Sequence, residues 1–253
     1  MLQPKNVDIY YFSGTGNTKL VVDKIKEVLK SQGYNVSLYK IEKVNPTEIN
    51  LENKVLGFAF PVALQGTYPF IWHFFEKLPS GNGNLVFLVD TLAAYSGGIL
   101  GPVKRILRKK GYNPLIAKEI RMPSNLSGSL DQKKIEKGLK QAENFALDLI
   151  ELKGSWYDIP IYSDFLSIFS RKEFFWNFFR RIFHLTIDKQ KCKKCNICVN
   201  ICPVGNIEIK EYPEHKDHCV FCLRCISFCP QDAIYFKEKK NFKKYKSIEL
   251  TKL

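Results

Sequence analysis

The chain has 253 residues, of which 45% are apolar, so it is long enough for two modest domains and is not expected to be disordered. Its start has no signal-like apolar region, and no stretch reaches the roughly 18 uncharged apolar residues of a spanning helix, which favours a protein of the reducing cytoplasm. The net charge of +14 favours an acidic partner, nucleic acid or an anionic membrane face, without choosing among them.

Residues 1–155 alternate short apolar runs with helical patterns. Apolar stripes at helical spacing precede Gly33 and Gly111, and glycine is the usual residue just past a helix end. Five crossover-linked strands predict a doubly wound α/β domain that binds its ligand at the carboxyl ends of the strands. The apolar runs, typical of buried parallel strands, cover 7–12, 36–41, 55–60, 85–89 and 114–120.

A loop rich in glycine and hydroxyl groups follows the first predicted strand and opens the first helix. A helix N-terminus offers free N–H groups and a positive dipole end, and glycines let the backbone curve around an anion. The loop therefore predicts a phosphate site, with a turn that caps the helix without a ligand as the alternative. Its residues are Ser13, Gly14, Thr15, Gly16, Asn17 and Thr18.

This loop resembles the phosphate loop of flavodoxins, Ser/Thr-x-Thr-Gly-x-Thr, at every defined position. The resemblance implies a flavodoxin-like five-stranded parallel sheet of order 2-1-3-4-5 over residues 1–155, with FMN bound at its edge. It places the flavin ring between the loops after strands three and four. The residues that it assigns to FMN in those loops are Pro61, Val62, Ala63, Tyr68, Thr91, Leu92, Tyr95, Gly97 and Gly98.

Tyr68 and Tyr95 are the candidate stacking partners of the ring, with ordinary loop packing as the alternative for each. The first of the two loops lacks the tryptophan that many flavodoxins place there. Gly97 and Gly98 would let backbone N–H groups reach the flavin edge. Asp90, at the predicted end of strand four, is expected to cap the loop that follows.

Residues 156–184 form a Phe-rich linker that predicts one amphipathic helix over 164–183. Its apolar face either packs against both domains or lies in a membrane interface, and burial within the protein is the more common outcome. The predicted polar face carries Ser170, Glu173, Asn177, Arg180 and Arg181. The cations that would meet lipid headgroups are Arg171, Lys172, Arg180 and Arg181.

All eight cysteines lie between 192 and 229, in two copies of Cys-x2-Cys-x2-Cys-x3-Cys-Pro that are 27 residues apart. This is the spacing of bacterial two-cluster ferredoxins, and it predicts two [4Fe–4S] clusters. Structural zinc sites, the alternative, use separated Cys-x2-Cys pairs without a third cysteine at the same interval. The first copy holds Cys192, Cys195, Cys198 and Cys202, and the second holds Cys219, Cys222, Cys225 and Cys229.

In such ferredoxins each cluster takes its fourth ligand from the other copy. The resemblance therefore implies an α+β ferredoxin domain over 185–238 with crossed ligation. It assigns Cys192, Cys195, Cys198 and Cys229 to cluster one, and Cys219, Cys222, Cys225 and Cys202 to cluster two. Small loop residues (Asn196, Asn200 and Ser227) are expected to let backbone amides approach the sulfurs. Arg224 either makes the clusters inequivalent or is a surface arginine, and we favour the surface.

The Lys-rich residues 239–253 are expected to form a solvated, flexible end, and they lack the interleaved aromatics of a nucleic-acid platform. His73, His184, His215 and His218 have no nucleophile or carboxylate nearby in the sequence, so no catalytic or substrate site is identified. His218 either tunes the second cluster or lies at the surface, and exposure is favoured.

The whole chain resembles the flavodoxin–ferredoxin fusion proteins of anaerobic bacteria and archaea. The resemblance implies a cytoplasmic protein of anaerobic metabolism that passes electrons among FMN, two [4Fe–4S] clusters and redox protein partners, acidic ones included. Transfer would run within one chain or across a head-to-tail homodimer, and nucleic acid is not an expected partner. The alternatives are a flavin-dependent reductase of a small substrate or cofactor, a membrane-associated redox subunit, and an iron–sulfur interaction module without flavin.

Overall fold

A computed structural model describes residues 1–95, 97–157, 161–238 and 243–253. The predicted linker residues 158–160 and tail residues 239–242 lie outside the described part. The N-terminal domain alternates strands and helices in this order: β1 Asn6–Tyr11, α1 Asn17–Ser31, β2 Asn35–Lys40, β3 Val55–Pro61, α2 Pro69–Lys77, β4 Leu85–Leu92, α3 Leu100–Lys109, β5 Asn113–Arg121 and α4 Gln132–Ile150.

The five strands form one parallel sheet of order β2-β1-β3-β4-β5, which confirms the predicted flavodoxin-like topology. In register, Ile9 of β1 lies between Leu38 of β2 and Gly57 of β3. The predicted strands lie at the right places, although β4 continues to Leu92 rather than ending at residue 89. Helix α2 was not predicted, because Pro-Phe-Ile-Trp-His-Phe-Phe has too many apolar residues to show a helical stripe.

Each face of the sheet has its own hydrophobic core, because successive side chains of a strand point to opposite faces. On β3, Phe58 and Phe60 pack beneath α2 and α3, whereas Ala59 packs beneath α1 and α4 with Val21 and Phe145. Both faces are covered, as an all-parallel sheet requires. The loops at the carboxyl ends of the strands are thereby held on a rigid frame.

The linker forms two helices, α5 Tyr162–Arg171 and α6 Glu173–Ile182, so the single predicted helix is wrong. The helix is interrupted at Lys172, whose ψ of 124° is that of extended backbone. The polar side chains of α5 point inward, because Ser163, Ser167 and Ser170 are buried. Although Trp176 is buried, much of the apolar surface of the pair points outward, opposite to the burial that we favoured from the sequence. Its exposed residues are Ile161, Tyr162, Phe165, Ile168, Phe174, Phe178 and Ile182.

The C-terminal domain is α+β, as predicted, and consists of short elements: β6 Leu185–Ile187, α7 Ile197–Asn200, β7 Ile207–Ile209, β8 Pro213–His215, α8 Arg224–Ser227 and β9 Ile234–Phe236. Strands β6 and β9 form one antiparallel pair, and β7 and β8 form another. With the loops between them, these pairs and the two one-turn helices leave the cysteine-bearing segments facing a common interior.

The two cysteine copies share an unusual backbone. Lys194 and Asn196 in the first copy have φ of 52° and 60°, and Phe221 and Leu223, 27 residues later, have φ of 51° and 61°. Positive φ costs energy for bulky residues such as Phe and Leu, and such strain concentrates at ligand clamps. The sequence repeat is therefore also a structural repeat.

Residues 243–253 pack onto the rest of the protein, so the expected solvated, flexible end is wrong for the part that the structure describes. Ile248 and Leu253 are buried in a small cluster with Phe228, which follows α8. Within the described residues, the helices are all too short or too polar to cross a membrane.

Candidate cofactor sites

The cysteine side chains surround two separate cavities, and each cavity takes cysteines from both copies, which is the crossed grouping that the ferredoxin resemblance implies. Beside one cavity lie Cys192, Cys195, Cys198 and, from the other copy, Cys229. Beside the second lie Cys202, Cys219, Cys222 and Cys225. All eight cysteines are free thiols. Among the described residues, no group of three or more His, Cys, Asp or Glu side chains could hold a single metal ion.

Backbone amides donate to cysteine sulfurs in both copies. The N–H of Asn206 reaches Cys202 Sγ at 3.1 Å, and that of Ala233, 27 residues later, reaches Cys229 Sγ at 3.3 Å. The N–H of Phe221 reaches Cys219 Sγ, also at 3.3 Å. The small residues Asn196, Asn200 and Ser227 are expected only to give such amides room, and their own N–H groups are not the donors in these bonds. Asn196 instead takes the left-handed conformation that turns the first loop.

Burial controls the protonation of the thiols. It raises the pKa of Cys198 and Cys219 to about 11 and that of Cys222 to about 12. It also raises the pKa of the wholly buried Cys225 well above the ordinary value of a thiol. Thiolates in these positions depend on a positive partner such as iron, so cluster assembly releases protons.

The predicted phosphate loop lies between β1 and α1, where the first strand ends in the middle of the sheet. Ser13, Thr15 and Thr18 are buried there. Ser13 Oγ accepts from the N–H groups of Gly16 and Lys19 at 3.1 and 3.3 Å, which closes the turn. Thr18 Oγ1 lies 2.8 Å from Thr91 Oγ1, so the loop is tied to the end of β4.

A cavity of about 250 Å³ opens over this loop at the carboxyl edge of the sheet. Of the predicted FMN residues, Ser13, Gly14, Thr15, Asn17 and Thr18 line it from the loop. Residues from the next loops, including Pro61, Val62, Tyr68, Thr91, Leu92 and Tyr95, complete the wall. The residues 122–126 after β5 also contribute, which the sequence interpretation missed.

A second, apolar cavity of about 360 Å³ adjoins the first. The two share Val62, Tyr68, Asn125 and Leu126. The second cavity continues past Ala63 and Leu64 to α6 and to Phe221 and Leu223 of the second cysteine copy. A polar, hydroxyl-rich end and an apolar, aromatic end therefore lie side by side, as a phosphate-bearing planar ligand requires.

The aromatic wall includes a tryptophan that comes from the linker. Trp176 of α6 is 2% exposed, and its ring centroid lies 6.0 Å from that of Tyr68. Its Nε1–H donates to the carbonyl of Ser170 at 2.9 Å, which fixes the ring. The absence of a tryptophan from the loop after strand three is visible in the sequence. No sequence pattern indicates that a distant segment supplies one.

Tyr68 and Tyr95 have different surroundings. Tyr68 is buried and also stacks on Phe70, with ring centroids 5.9 Å apart, and burial raises the pKa of its hydroxyl. Tyr95 is 55% exposed, and its hydroxyl lies 3.0 Å from that of Tyr162 on α5. Tyr68 borders both cavities, whereas Tyr95 borders the first.

Gly97 and Gly98 are not among the described residues that line either cavity, and they serve the linker instead. The N–H of Gly98 donates to the carbonyl of Gln65 at 2.8 Å. A Cβ on Gly98 would lie 2.6 Å from the backbone nitrogen of Ser167, and one on Gly97 would lie 2.3 Å from Leu166. These glycines allow α5 to approach the loop closely, which corrects their predicted role at the flavin edge.

Arg224 is buried between the two domains, so the expected surface position is wrong. Its guanidinium donates to the carbonyl of Ser13 at 2.7 Å and pairs with Glu42 at 2.8 Å. It also lies 4.7 Å from the ring centroid of Phe12. Both charged side chains are nearly fully buried. The second cysteine copy is thus anchored directly on the predicted phosphate loop.

The close approach of the two loops depends on Gly14. A Cβ at this position would lie 2.3 Å from the carbonyl oxygen of Cys222. No side chain fits there without moving the backbone of the cysteine loop. The glycine that the sequence assigned to phosphate binding is therefore also required for contact with the cluster-two loop.

The C-terminal segment lies along the other side of the phosphate loop. The N–H of Ser247 donates to the carbonyl of Thr15 at 2.9 Å, and Tyr245 Oη donates to Asn17 Oδ1 at 2.6 Å. Lys244 Nζ donates to the carbonyl of Cys229 at 3.2 Å. The segment therefore connects a predicted cluster ligand with the predicted phosphate site.

Asp90 does not cap a loop, because β4 continues past it and buries it completely. Neither carboxylate oxygen has a hydrogen-bond partner among the described residues. Burial, and then the nearby Glu119, raises the pKa of Asp90 well above its ordinary value, so the carboxyl is neutral. His218 is 44% exposed at its side chain, in line with the expectation.

Comparison with known proteins identifies the C-terminal domain. Residues 184–230 match the family model of the 4Fe-4S dicluster domain. This part of the chain is therefore an iron–sulfur domain, and it contains all eight free thiols. Comparison with curated proteins finds no match to the chain.

Solved structures similar to the N-terminal domain include several flavodoxins. An archaeal flavodoxin is 16% identical with a TM-score of 0.44, covering 57% of this chain and 99% of its own. The flavodoxin of Streptococcus pneumoniae is 19% identical with a TM-score of 0.46, covering 58% and 98%. That of Megasphaera elsdenii is 23% identical with a TM-score of 0.42, covering 54% and 98%. The flavodoxin-like description of the sheet rests on its strand order.

Proposed function

We propose that this protein is an internally wired electron carrier that holds one FMN and two [4Fe–4S] clusters and passes electrons between external redox proteins. FMN supplies the exchange of one or two electrons, and each cluster supplies the exchange of one. The phosphate would lie on the Ser13–Thr18 loop and the flavin ring in the adjoining aromatic space beside Tyr68. The crossed cysteine sets would hold the clusters.

The contact between Arg224 and Ser13 carries this proposal. It joins the loop of the second cysteine copy to the phosphate loop within a single chain. Phe221 and Leu223 of that copy also border the apolar cavity. A flavin in this space would face cluster two of its own chain, which supports transfer within one chain over transfer across a head-to-tail dimer.

Cluster one is the candidate exchange point with external proteins. Cys195 is exposed and Cys192 is partly exposed, whereas Cys222 and Cys225 are buried. Lysines 189, 191, 193 and 194 are exposed in the same loop. A basic rim steers an acidic partner toward the cluster, so the rate of electron exchange should fall as salt is raised.

The residues of the site have separate tasks in this proposal. The hydroxyls of Ser13, Thr15 and Thr18 and the N–H groups at the start of α1 would neutralise the phosphate. Trp176 and the residues around the apolar cavity exclude water from the space between the two sites. The N–H groups of Asn206, Phe221 and Ala233 donate to thiol sulfurs, and such bonds raise the reduction potential of a cluster.

The test is an anaerobic preparation in which iron, sulfide and FMN are quantified, followed by stepwise reduction. We expect about eight irons and one FMN per chain, with flavin and cluster absorbance lost in a linked sequence. Eight irons with no FMN retained after addition would reject the wiring and support an iron–sulfur interaction module. Four irons would reject the second cluster.

The apolar cavity of about 360 Å³ also supports a second candidate function, a flavin-dependent reductase of a small apolar substrate. A substrate would share that space with the flavin ring and lie against Trp176. The two functions differ in one measurement, because a reductase oxidises its reduced clusters when a small acceptor is added without any partner protein. A carrier needs the protein partner.

A further inference from the structure

We propose that the outward face of α5 and α6 is a docking surface for an anionic lipid membrane. We call this the outer face, and it comprises Ile161, Tyr162, Phe165, Ile168, Phe174, Phe178 and Ile182. The inference goes beyond electron transfer, since it concerns where the protein works and holds whether or not FMN is bound.

The outer face is strongly apolar and exposed. Phe165 is 60% exposed, Phe174 is 73% exposed and Phe178 is 53% exposed. On α6 the exposed apolar residues Phe174, Phe178 and Ile182 are four residues apart and form one stripe. Scattered exposed apolar residues are ordinary, but a continuous patch of this kind marks an interaction surface.

Ring contacts join the two helices into one surface. The ring centroids of Phe165 and Phe169 are 5.9 Å apart, and those of Phe169 and Phe175 are 4.8 Å apart. Phe174 and Phe175 follow at 5.4 Å. The break at Lys172 therefore bends the helix pair without dividing its apolar face.

Hydrogen bonds on the inner side fix the orientation of the helices. Trp72 Nε1–H donates to Ser170 Oγ at 3.1 Å, and Trp176 Nε1–H donates to the carbonyl of Ser170 at 2.9 Å. Gly66 and Gly98 lie so close to α5 that a Cβ on either would collide with it. The helices cannot roll inward to bury their phenylalanines without breaking these contacts.

The charges on this face select an anionic surface. Among the described residues, the carboxylates near this face have arginine partners: Asp164 with Arg105 at 2.5 Å, Glu76 with Arg171 at 3.5 Å, and Glu173 with Arg180. Lys172 and Arg181 are exposed and have no ion-pair partner in the described part of the chain. The excess charge is therefore cationic, as on helices that lie in an anionic membrane interface.

An open groove of about 990 Å³ lies beside α5 and has the same character. Phe165 and Ile168 form its apolar side, and Arg171 and Lys172 stand at its charged end. This juxtaposition fits an acyl chain below an anionic headgroup. A second copy of this chain fits less well, because a two-fold contact would bring the cations of both copies together in a molecule of net charge +14.

The test is co-sedimentation of the full-length protein with vesicles of phosphatidylcholine alone or mixed with phosphatidylglycerol. We expect binding to the anionic vesicles, weakened by salt, and little binding to phosphatidylcholine. The double variant Phe174→Ser/Phe178→Ser should bind at least about tenfold more weakly. Its control, Leu130→Ser/Leu152→Ser, removes two equally exposed leucines elsewhere and should bind like the natural protein.

The charge variant Lys172→Gln/Arg181→Gln should bind anionic vesicles several-fold more weakly, whereas Lys133→Gln/Lys137→Gln on α4 should change binding little. These side chains are exposed, so the variants fold, and unchanged iron content confirms it. No binding to either vesicle would overturn the proposal. Equal binding to both vesicles would overturn it as well. Dimerisation that depends on protein concentration and is abolished in Phe174→Ser/Phe178→Ser, without binding to vesicles, would also overturn the proposal.

Discussion

The two cysteine copies have the same local structure and opposite surroundings. Both turn through left-handed residues at equivalent positions, 194 with 221 and 196 with 223, and both place a one-turn helix after the turn. The first copy faces solvent, with Cys195 exposed. The second copy lies against the N-terminal domain, with Cys222 and Cys225 buried. Two loops with the same backbone can therefore have different roles, since the first is exposed to solvent and the second contacts the N-terminal domain.

One residue pair shows how the difference arises. Position 197 in the first copy is Ile, and the equivalent position 224 in the second is Arg. The first copy has an apolar side chain at this position, whereas the second copy has the cation of Arg224. This guanidinium donates to the carbonyl of Ser13 and pairs with Glu42. The repeated sequence forms the cluster loop, and the difference at position 224 forms the contact with the N-terminal domain.

The largest expected effect comes from removing one ligand of each cluster. Cys222→Ser and Cys195→Ser should each lower iron from about eight to about four per chain. We expect Cys222→Ser to abolish electron exchange between flavin and the remaining cluster, and Cys195→Ser to preserve it, because among the described residues the second copy borders the proposed flavin space and the first copy does not. Stopped-flow reduction with absorbance detection measures this. The reverse pattern would show that cluster one faces the flavin.

The next effect concerns the buried ion pair. Arg224→Met should lower the free energy of unfolding by about 3–5 kcal/mol, because Glu42 would be left buried without its cation. The double variant Arg224→Met/Glu42→Met should recover most of this loss. The matched control is Ile197→Met at the equivalent position, with an expected cost below about 1.5 kcal/mol. Urea unfolding followed by circular dichroism gives all three values, and an Arg224→Met cost equal to that of the control would contradict the interface.

The two clusters should lose their iron at different rates. A chelator under anaerobic conditions should take iron from cluster one first, because Cys195 is exposed, whereas in the second set Cys222 and Cys225 are buried and Cys202 and Cys219 are only partly exposed. During reassembly, Cys219 and Cys222 stay protonated to a higher pH, because burial raises the pKa of both thiols. A rise in pH should therefore favour loading of the second set more than loading of the first.

Iron release recorded against time, with Cys195→Ser as the trace of cluster two alone, checks this order. Two phases are expected, and the slow phase should match the trace of the variant. A single phase with both clusters lost at one rate would mean that the surroundings do not protect the second copy.

The smallest effect concerns the C-terminal segment, which contacts the phosphate loop beside the second copy. Tyr245→Phe removes the hydrogen bond to Asn17 and should cost about 1 kcal/mol, or roughly a fivefold rise in the Kd of FMN. Tyr157→Phe alters a tyrosine that is 67% exposed and is the control. Fluorescence titration of the deflavinated protein with FMN measures both. An unchanged Kd would show that the segment does not support the loop.

Much of the site could be predicted because it is local in the sequence. The spacing of the eight cysteines, the loop from Ser13 to Thr18 and the alternation of five strands each constrain neighbouring residues directly. The crossed grouping of cysteines, implied by resemblance, is the grouping that the structure shows around its two cavities. The spacing, the loop and the alternation follow from hydrogen bonding, ligand geometry and periodicity within short segments, whereas the crossed grouping was available only through the resemblance.

The errors concern residues whose environment depends on distant partners. Arg224, Asp90, Gly97 and the C-terminal segment were each assigned the role that their own sequence surroundings suggest. Trp176 enters the aromatic wall from a linker more than 100 residues after Tyr68. No local pattern encodes such contacts, because packing between domains decides them.

The sequence by itself determined the alternation of strands and helices, the cysteine spacing and the phosphate-type loop, since each arises from short-range chemistry. The strand order was implied by a family resemblance and is a property of the folded sheet. Only the tertiary structure decided which cysteine copy lies against the phosphate loop and which way the linker helices face. Both outcomes depend on burying particular side chains, Arg224 with Glu42 and the serines of α5 with Trp72. Burial is a property of the whole folded chain, and it turned two identical motifs into an inner and an outer site.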